Sequence, residues 1–290
     1  MRKAALSPDG RLVAMSARMT LLWDLQAGAE VTLGEARQLR AAVLVFDPTG
    51  QWLLCGSGWA MSLVDVATGQ TRHAWFLPRQ DEAKAAGFLA DGALVYVLTQ
   101  HGLLVWPLKA LPEAAKKGEK VTPIATLRAP AKGEWRAVSA ADDGTMLVTD
   151  MGYPDGSATL WNPHSGEVRF TQKLRGSLGG GAALSPDGKR AALLLDGALC
   201  FYDVGQELTL RHRAPLDLRR GDIATLAFDR TGQTVVWACD QEVKLWDAAS
   251  GAVLASVPAK SRNHAPVATL CTLNPQLLLT VEPLALFELR

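Results

Sequence analysis

The chain has 290 residues, 48% of them hydrophobic, and a formal net charge of +1. That length and apolar content suffice for a large core, and the near-neutral charge argues against a nucleic-acid binder or a membrane-surface protein. No apolar run approaches the ~18 residues needed to cross a bilayer as a helix.

The chain opens on "MRKAALSPDG", a basic start that Pro8, Asp9 and Gly10 interrupt before any leader-like apolar stretch can form. A cytoplasmic location is therefore expected. The heptapeptide "AALSPDG" at 4–10 returns letter for letter at 182–188. Weaker versions of its turn stand at "DPTG" (47–50), "LADG" (89–92), "ADDG" (141–144), "DRTG" (229–232) and "LNPQ" (273–276). Steps between successive turn glycines run from 40 to 52 residues. A second string follows each turn, its central residue 13 or 14 positions after the turn glycine in five of the units: "LLWDL" (21–25), "SLVDV" (62–66), "LVWPL" (104–108), "TLWNP" (159–163), "CFYDV" (200–204), "KLWDA" (244–248) and "ALFEL" (285–289). Two landmarks locked in phase define a repeat architecture, and the two identical heptapeptides open units one and five.

One unit shows the local structure. In "IATLAFDRTGQTVVWACDQEVKLWDAASGAVLASV" (223–257), "IATLAF" is wholly buried in character, "TVVWAC" is β-branched, "EVKLWD" alternates and "AVLASV" closes the unit. Turn signals separate them every 8–10 residues, so the unit predicts four short antiparallel strands. A lone sheet of this kind cannot bury both faces, whereas blades packed side by side can.

With "LWD" preceded by "SPDG", the chain resembles the WD40 family of β-propellers along essentially its whole length. That family carries Asp or Asn after the Trp, matched here by Asp24, Asp65, Asn162, Asp203 and Asp247. It also carries an Asp six residues before the aromatic, matched by Asp155, Asp196 and Asp240. Ala17, Gly58, Gln100 and Val281 replace that Asp in the other units, and the family's Gly-His pair before each inner strand is missing. The resemblance implies an all-β, seven-bladed propeller of four-stranded antiparallel blades with an incomplete seventh blade. Expected blades are 1–34, 40–77, 84–127, 134–174, 180–213, 222–257 and 266–290, in a single domain. The segment 109–120 reads as an exposed insertion.

Chemistry is sparse. The predicted inner strands carry no Asp, Glu, His or Asn, so nothing there would hold a hard cation or act as a general base. Cys55, Cys200, Cys239 and Cys271 share no CxxC spacing and read as buried, reduced thiols. No catalytic, cofactor-binding or metal-binding residue is assigned, and no cofactor is expected. The expected function is a non-catalytic protein-interaction scaffold that binds a peptide or protein segment on one end of the propeller. The alternatives are a propeller hydrolase or lactonase with a degenerate channel, or a ligand-sensing module of a larger protein.

Joining segments rich in arginine predict a mildly basic end for an acidic partner, with Arg37, Arg40, Arg136, Arg175, Arg219 and Arg262 contributing. Trp59 and Trp135, outside the repeat position and near predicted loops, are the aromatics expected to meet that partner. The last unit supplies three strand-like runs before Arg290. Leu284, Leu286 and Leu289 are therefore expected on an exposed edge, completed by a strand from another chain, completed by the remainder of a longer polypeptide, or left open and kept soluble by Glu288 and Arg290.

Overall fold

The computed structural model describes residues 3–78, 81–89, 92–113, 121–130, 134–150, 155–176, 178–216, 225–239, 242–258, 269–270, 277–281 and 284–288. The chain divides into two compact units, Met1–Arg128 with Cys271–Leu277, and Ala129–Leu270 with Leu278–Arg290. The fold is an all-β propeller, and among the described residues there is no α-helix.

Three blades form the first unit. They are β1 (Lys3–Leu6), β2 (Leu12–Ser16), β3 (Thr20–Asp24) and β4 (Ala29–Val31); β5 (Val43–Phe46), β6 (Trp52–Ser57), β7 (Ala60–Asp65) and β8 (Thr71–Phe76); and β9 (Ala85–Leu89), β10 (Leu94–Leu98), β11 (Gly102–Pro107) and β12 (Ala125–Arg128). The second unit holds three more. They are β13 (Trp135–Ala140), β14 (Met146–Asp150), β15 (Gly156–Asn162) and β16 (Glu167–Leu174); β17 (Leu178–Leu184), β18 (Arg190–Leu195), β19 (Ala198–Val204) and β20 (Leu208–Pro215); and β21 (Thr225–Phe228), β22 (Thr234–Ala238), β23 (Glu242–Asp247) and β24 (Val253–Pro258). In each blade the strands pair antiparallel in chain order.

The expected count of seven blades is corrected to six. The remaining strands, β25 (Thr269–Leu270), β26 (Leu277–Val281) and β27 (Leu284–Glu288), form a three-stranded sheet. Its first strand has two residues, against four to seven in the inner strands of the six blades. A two-residue strand offers too few ladder bonds and side chains to serve as an inner strand.

Burial explains why each run of residues takes its place. The second strands are mostly apolar and largely buried, as with "LVYVL" of β10 and "RAALLL" of β18. Outermost strands such as β16 and β24 alternate between exposed and half-buried side chains, which is the pattern of a strand with one wet face. Within the first unit, apolar cores fill the interface of the first and second blades and that of the second and third. Two equivalent cores join the three blades of the second unit. Trp75 and Trp106 meet edge to face in the second of these cores, with ring centroids 6.1 Å apart.

The repeated turns explain the repeated letters. In "SPDG", the Ser7 hydroxyl donates to Asp9 Oδ1 at 2.5 Å, Asp9 Oδ1 accepts from Arg11 N–H, and Ser7 Oγ accepts from Leu12 N–H. Ser185, Asp187, Lys189 and Arg190 reproduce all three bonds. In "DPTG" the roles are exchanged: Thr49 Oγ1 donates to Asp47 Oδ2, and Asp47 Oδ1 accepts from Trp52 N–H. "DRTG" repeats that version with Thr231, Asp229 and Thr234. Each of these four turns uses one hydroxyl and one carboxylate two residues apart, in either order.

Neighbouring blades are also stitched at their outer edges. Gln172 of β16 donates to Leu208 O at 3.1 Å and accepts from Leu208 N–H at 2.6 Å. His212 of β20 bonds Ala249 O at 2.6 Å, and His73 of β8 bonds Leu111 O at 3.0 Å. The start of the predicted insertion thus returns to the second blade, where His73 also bridges Glu113. Residues 114–120 lie outside the described residues.

Candidate functional site

Antiparallel order places the first and third turns of a blade at one end and the second turn, with the segment leading to the next blade, at the other. In the first unit that second end carries the turns at 17–19, 58–59 and 99–101. The turn between β6 and β7 has two residues, Gly58 and Trp59, with Gly58 at φ +57°. Glycine is suited to that conformation, and it sets Trp59 at the tip of a tight hairpin. The indole is 40% exposed and packs on Phe76, 39% exposed, with ring centroids 4.5 Å apart and planes inclined by 39°.

This tip is held from both sides. Leu77 N–H donates to Trp59 O at 2.8 Å and Ala83 N–H donates to Gly58 O at 2.9 Å. Between those bonds, Asp81 accepts from the Thr99 hydroxyl at 3.1 Å and bonds the His101 ring at 2.5 Å. The joining segment is therefore locked to the second blade by backbone and to the third by a carboxylate. In the WD40 pattern the Asp belongs to the turn and the His to the joining segment; here Asp81 and His101 hold the opposite places. Glu82, next to Asp81, is exposed.

In the second unit, Asp155 accepts from Gly176 N–H at 3.0 Å, so one of the turn aspartates also locks a joining segment. Gly176 has φ +110°, and a Cβ there would fall 1.9 Å from Asp196 Oδ2. No side chain fits, so the close approach of the second turn aspartate depends on this glycine.

The sequence-predicted residues divide as follows. Trp59, Arg40, Arg136 and Arg175 are exposed. Arg37 is drawn to Glu30 of β4 at 3.2 Å, which neutralises its charge locally. Trp135 is a correction: it begins β13 opposite Asp150 and is 2% exposed, so its ring belongs to the core and cannot meet a partner. Arg219, Arg262 and Leu289 lie outside the described residues. Leu284 and Leu286 fall in β27, the last strand in the order β25-β26-β27. Sequence reasoning passed over Phe76, whose only signal is its place at the end of an outer strand opposite Ala60.

Other chemistry is limited. Among the described residues, no three His, Cys, Asp or Glu side chains converge as metal ligands would. Cys55, Cys200 and Cys239 are buried free thiols, and burial pushes the Cys55 thiol up to about 12. The Tyr96 ring lies over Gly87, its cross-strand partner, where a Cβ would fall 2.5 Å from the phenol oxygen. Desolvation pushes that phenol up to about 12. A cleft of about 450 Å³ is lined by His73, Ala93, Leu94, Pro107, Leu108 and Lys109, with no carboxylate among them. No helix among the described residues is long and apolar enough to cross a membrane.

No family model matches the chain, and neither does any curated protein. Solved structures do. Kuenenia stuttgartiensis hydrazine synthase is similar with a TM-score of 0.77 at 14% identity, over 98% of this chain and 94% of that one. The β-propeller domain of Myceliophteria thermophila Cps50 (Swd1) has a TM-score of 0.71 at 15% identity, over 96% of this chain and 91% of that one. At such identities the likeness establishes the β-propeller fold and leaves the chemistry to this chain's own residues.

Proposed function

We propose that this chain is a non-catalytic protein-interaction scaffold of the WD40 kind, and that a segment of its partner docks on the end of the first unit that carries Trp59. The observation that carries this reading is the exposed Trp59–Phe76 pair on a turn fixed by two backbone hydrogen bonds. Large aromatics held rigid and open to solvent are the side chains on which interfaces concentrate their binding energy. Likeness to a propeller domain such as that of Swd1 supports the module reading. Arg18 and Arg40, exposed on the same unit, favour acidic residues in the docked segment, and Arg136 and Arg175 do so on the second unit. A reducing cytoplasm suits three buried free thiols.

The test is affinity capture from native lysate, comparing the wild-type chain with the Trp59→Ala/Phe76→Ala double variant. Both rings are surface groups, so the variant is expected to melt as the wild type does while losing a specific bound protein. Capture of the same proteins by both would overturn the reading.

A further inference from the structure

One row of side chains in the first blade is unlike the row below it. Lys3 pairs with Ser16 across β1 and β2, and Ser16 pairs with Thr20 across β2 and β3. Opposite residues share a face, and the next row on that face, Ala5–Ala14–Leu22, belongs to the core against the second blade. The Lys3 row therefore closes that core at the end of the unit that carries Trp59, beside the segment leading into β5. Its hydroxyls hold this segment: Ser16 Oγ accepts from Ala41 N–H at 2.8 Å, and Thr20 Oγ1 donates to Leu39 O at 2.7 Å. Arg40 stands between those two bonded residues, and Arg18 stands in the turn between Ser16 and Thr20. Three cationic residues thus belong to one hydrogen-bonded platform.

No acid balances them. Among the described residues Lys3, Arg18 and Arg40 make no ion pair and no side-chain hydrogen bond. Arg18 and Arg40 are exposed, so water solvates them. Lys3 is half-buried, and burial holds its ammonium below the usual lysine value of 10.5. An unpaired ammonium at the edge of an apolar core is unfavourable until an anion meets it. Resting on the interaction reading above, we propose that Lys3, Arg18 and Arg40 together seat one acidic side chain of the docked segment, with Lys3 as its inner contact. The carboxylate pairs with the Lys3 ammonium, and the two arginines supply charge and forked donors at the rim. Lys3 carries no letter of the repeat, so the count of arginines in the joining segments passed over it.

The probe is acetyl-Gly-Glu-Gly-amide, with the glutamine peptide as neutral control. Lysines are converted to isotopically labelled dimethyl-lysines, which keep their charge, and the Lys3 resonance is identified by its loss in Lys3→Met. The glutamate peptide should move the Lys3 titration midpoint upward and bind about three- to tenfold more tightly than the glutamine peptide. Lys3→Met, and separately Arg18→Gln/Arg40→Gln, should each remove most of that difference and its dependence on salt. Without peptide, Lys3→Met should melt no lower than the wild type, because it removes an uncompensated charge. Equal effects of the two peptides, indifference to either variant, or a clear drop in the melting temperature of Lys3→Met would each overturn the assignment. Capture experiments separate the two levels. If Trp59→Ala/Phe76→Ala loses the partner and Lys3→Met keeps it undiminished, the carboxylate seat falls and the scaffold reading stands. If both variants keep the partner, the scaffold reading itself falls.

Discussion

Four tryptophans occupy the same repeat position, and their surroundings differ. Trp161 faces Val168 in the outer strand and is 2% exposed, and Trp246 faces Val253 and is 5% exposed. Trp23 faces Glu30 and is 37% exposed. Trp246 packs on Phe201 of the preceding blade, with ring centroids 6.3 Å apart, in the core that joins the two blades. Trp106 is fully buried, against Trp75, and donates its indole N–H to Val121 O at 3.2 Å. Trp106→Ala should therefore cost about 3–5 kcal/mol and Trp23→Ala about 1 kcal/mol or less, read from urea unfolding midpoints. Equal losses would mean that the shared position, and not the local packing, sets the energy. The thiols give a second check at this scale. With Cys55 pushed up to about 12, iodoacetamide at pH 8 should label it only after denaturation, as followed by mass spectrometry. Rapid labelling of the folded protein would contradict its burial.

The turns were legible as turns, but their interchangeability was not, because only coordinates reveal which oxygen accepts which N–H. "SPDG" and "DRTG" differ in letters and agree in bonds: position one accepts from the N–H five residues on, and a hydroxyl always donates to a carboxylate. Ser185→Asp alone would set two carboxylates against each other, and Asp187→Thr alone would leave two hydroxyls to do the work of a charged acceptor. Each single change should cost about 1–2 kcal/mol, while the double change Ser185→Asp/Asp187→Thr should return to within about 0.5 kcal/mol of the wild type. Additive losses in this cycle would show that the network is not exchangeable. The lock around Trp59 was hidden for a related reason. Asp81 and His101 are twenty residues apart and reversed relative to the WD40 pattern, so no Gly-His pair marks them in the sequence.

Over the whole molecule, the period of the landmarks made the propeller legible, since strand pattern and repeat length follow from the same burial. The number of blades was not, because counting landmarks assumes that every repeat of letters builds four strands. "ALFEL" satisfies the landmark, yet β27 belongs to a sheet of three. The same recurrence that reveals the fold also distributes one kind of electrostatic support along the chain. Bonds from the Arg11 side chain hold the Asp24 carboxyl below the usual aspartate value of 3.8, and Thr68 backbone N–H does so first for Asp65. The Ser185 hydroxyl lowers Asp187, and the Ser250 hydroxyl lowers Asp247. A carboxyl that is more acidic when folded binds fewer protons in the native state than in the unfolded chain near pH 4. Its contribution is thus complete above the unfolded value and is lost as pH falls through the folded one. The melting temperature should be flat from about pH 8 to 5 and then fall steeply below about pH 4. Asp24→Asn/Asp247→Asn should melt lower than the wild type at pH 7, and the gap should narrow towards pH 3. Thermal melts at fixed ionic strength across this range decide the matter. A wild-type curve that stays level to pH 3, or a double variant that loses as much in acid as the wild type, would show that these turn carboxylates do not set the acid limit of the fold.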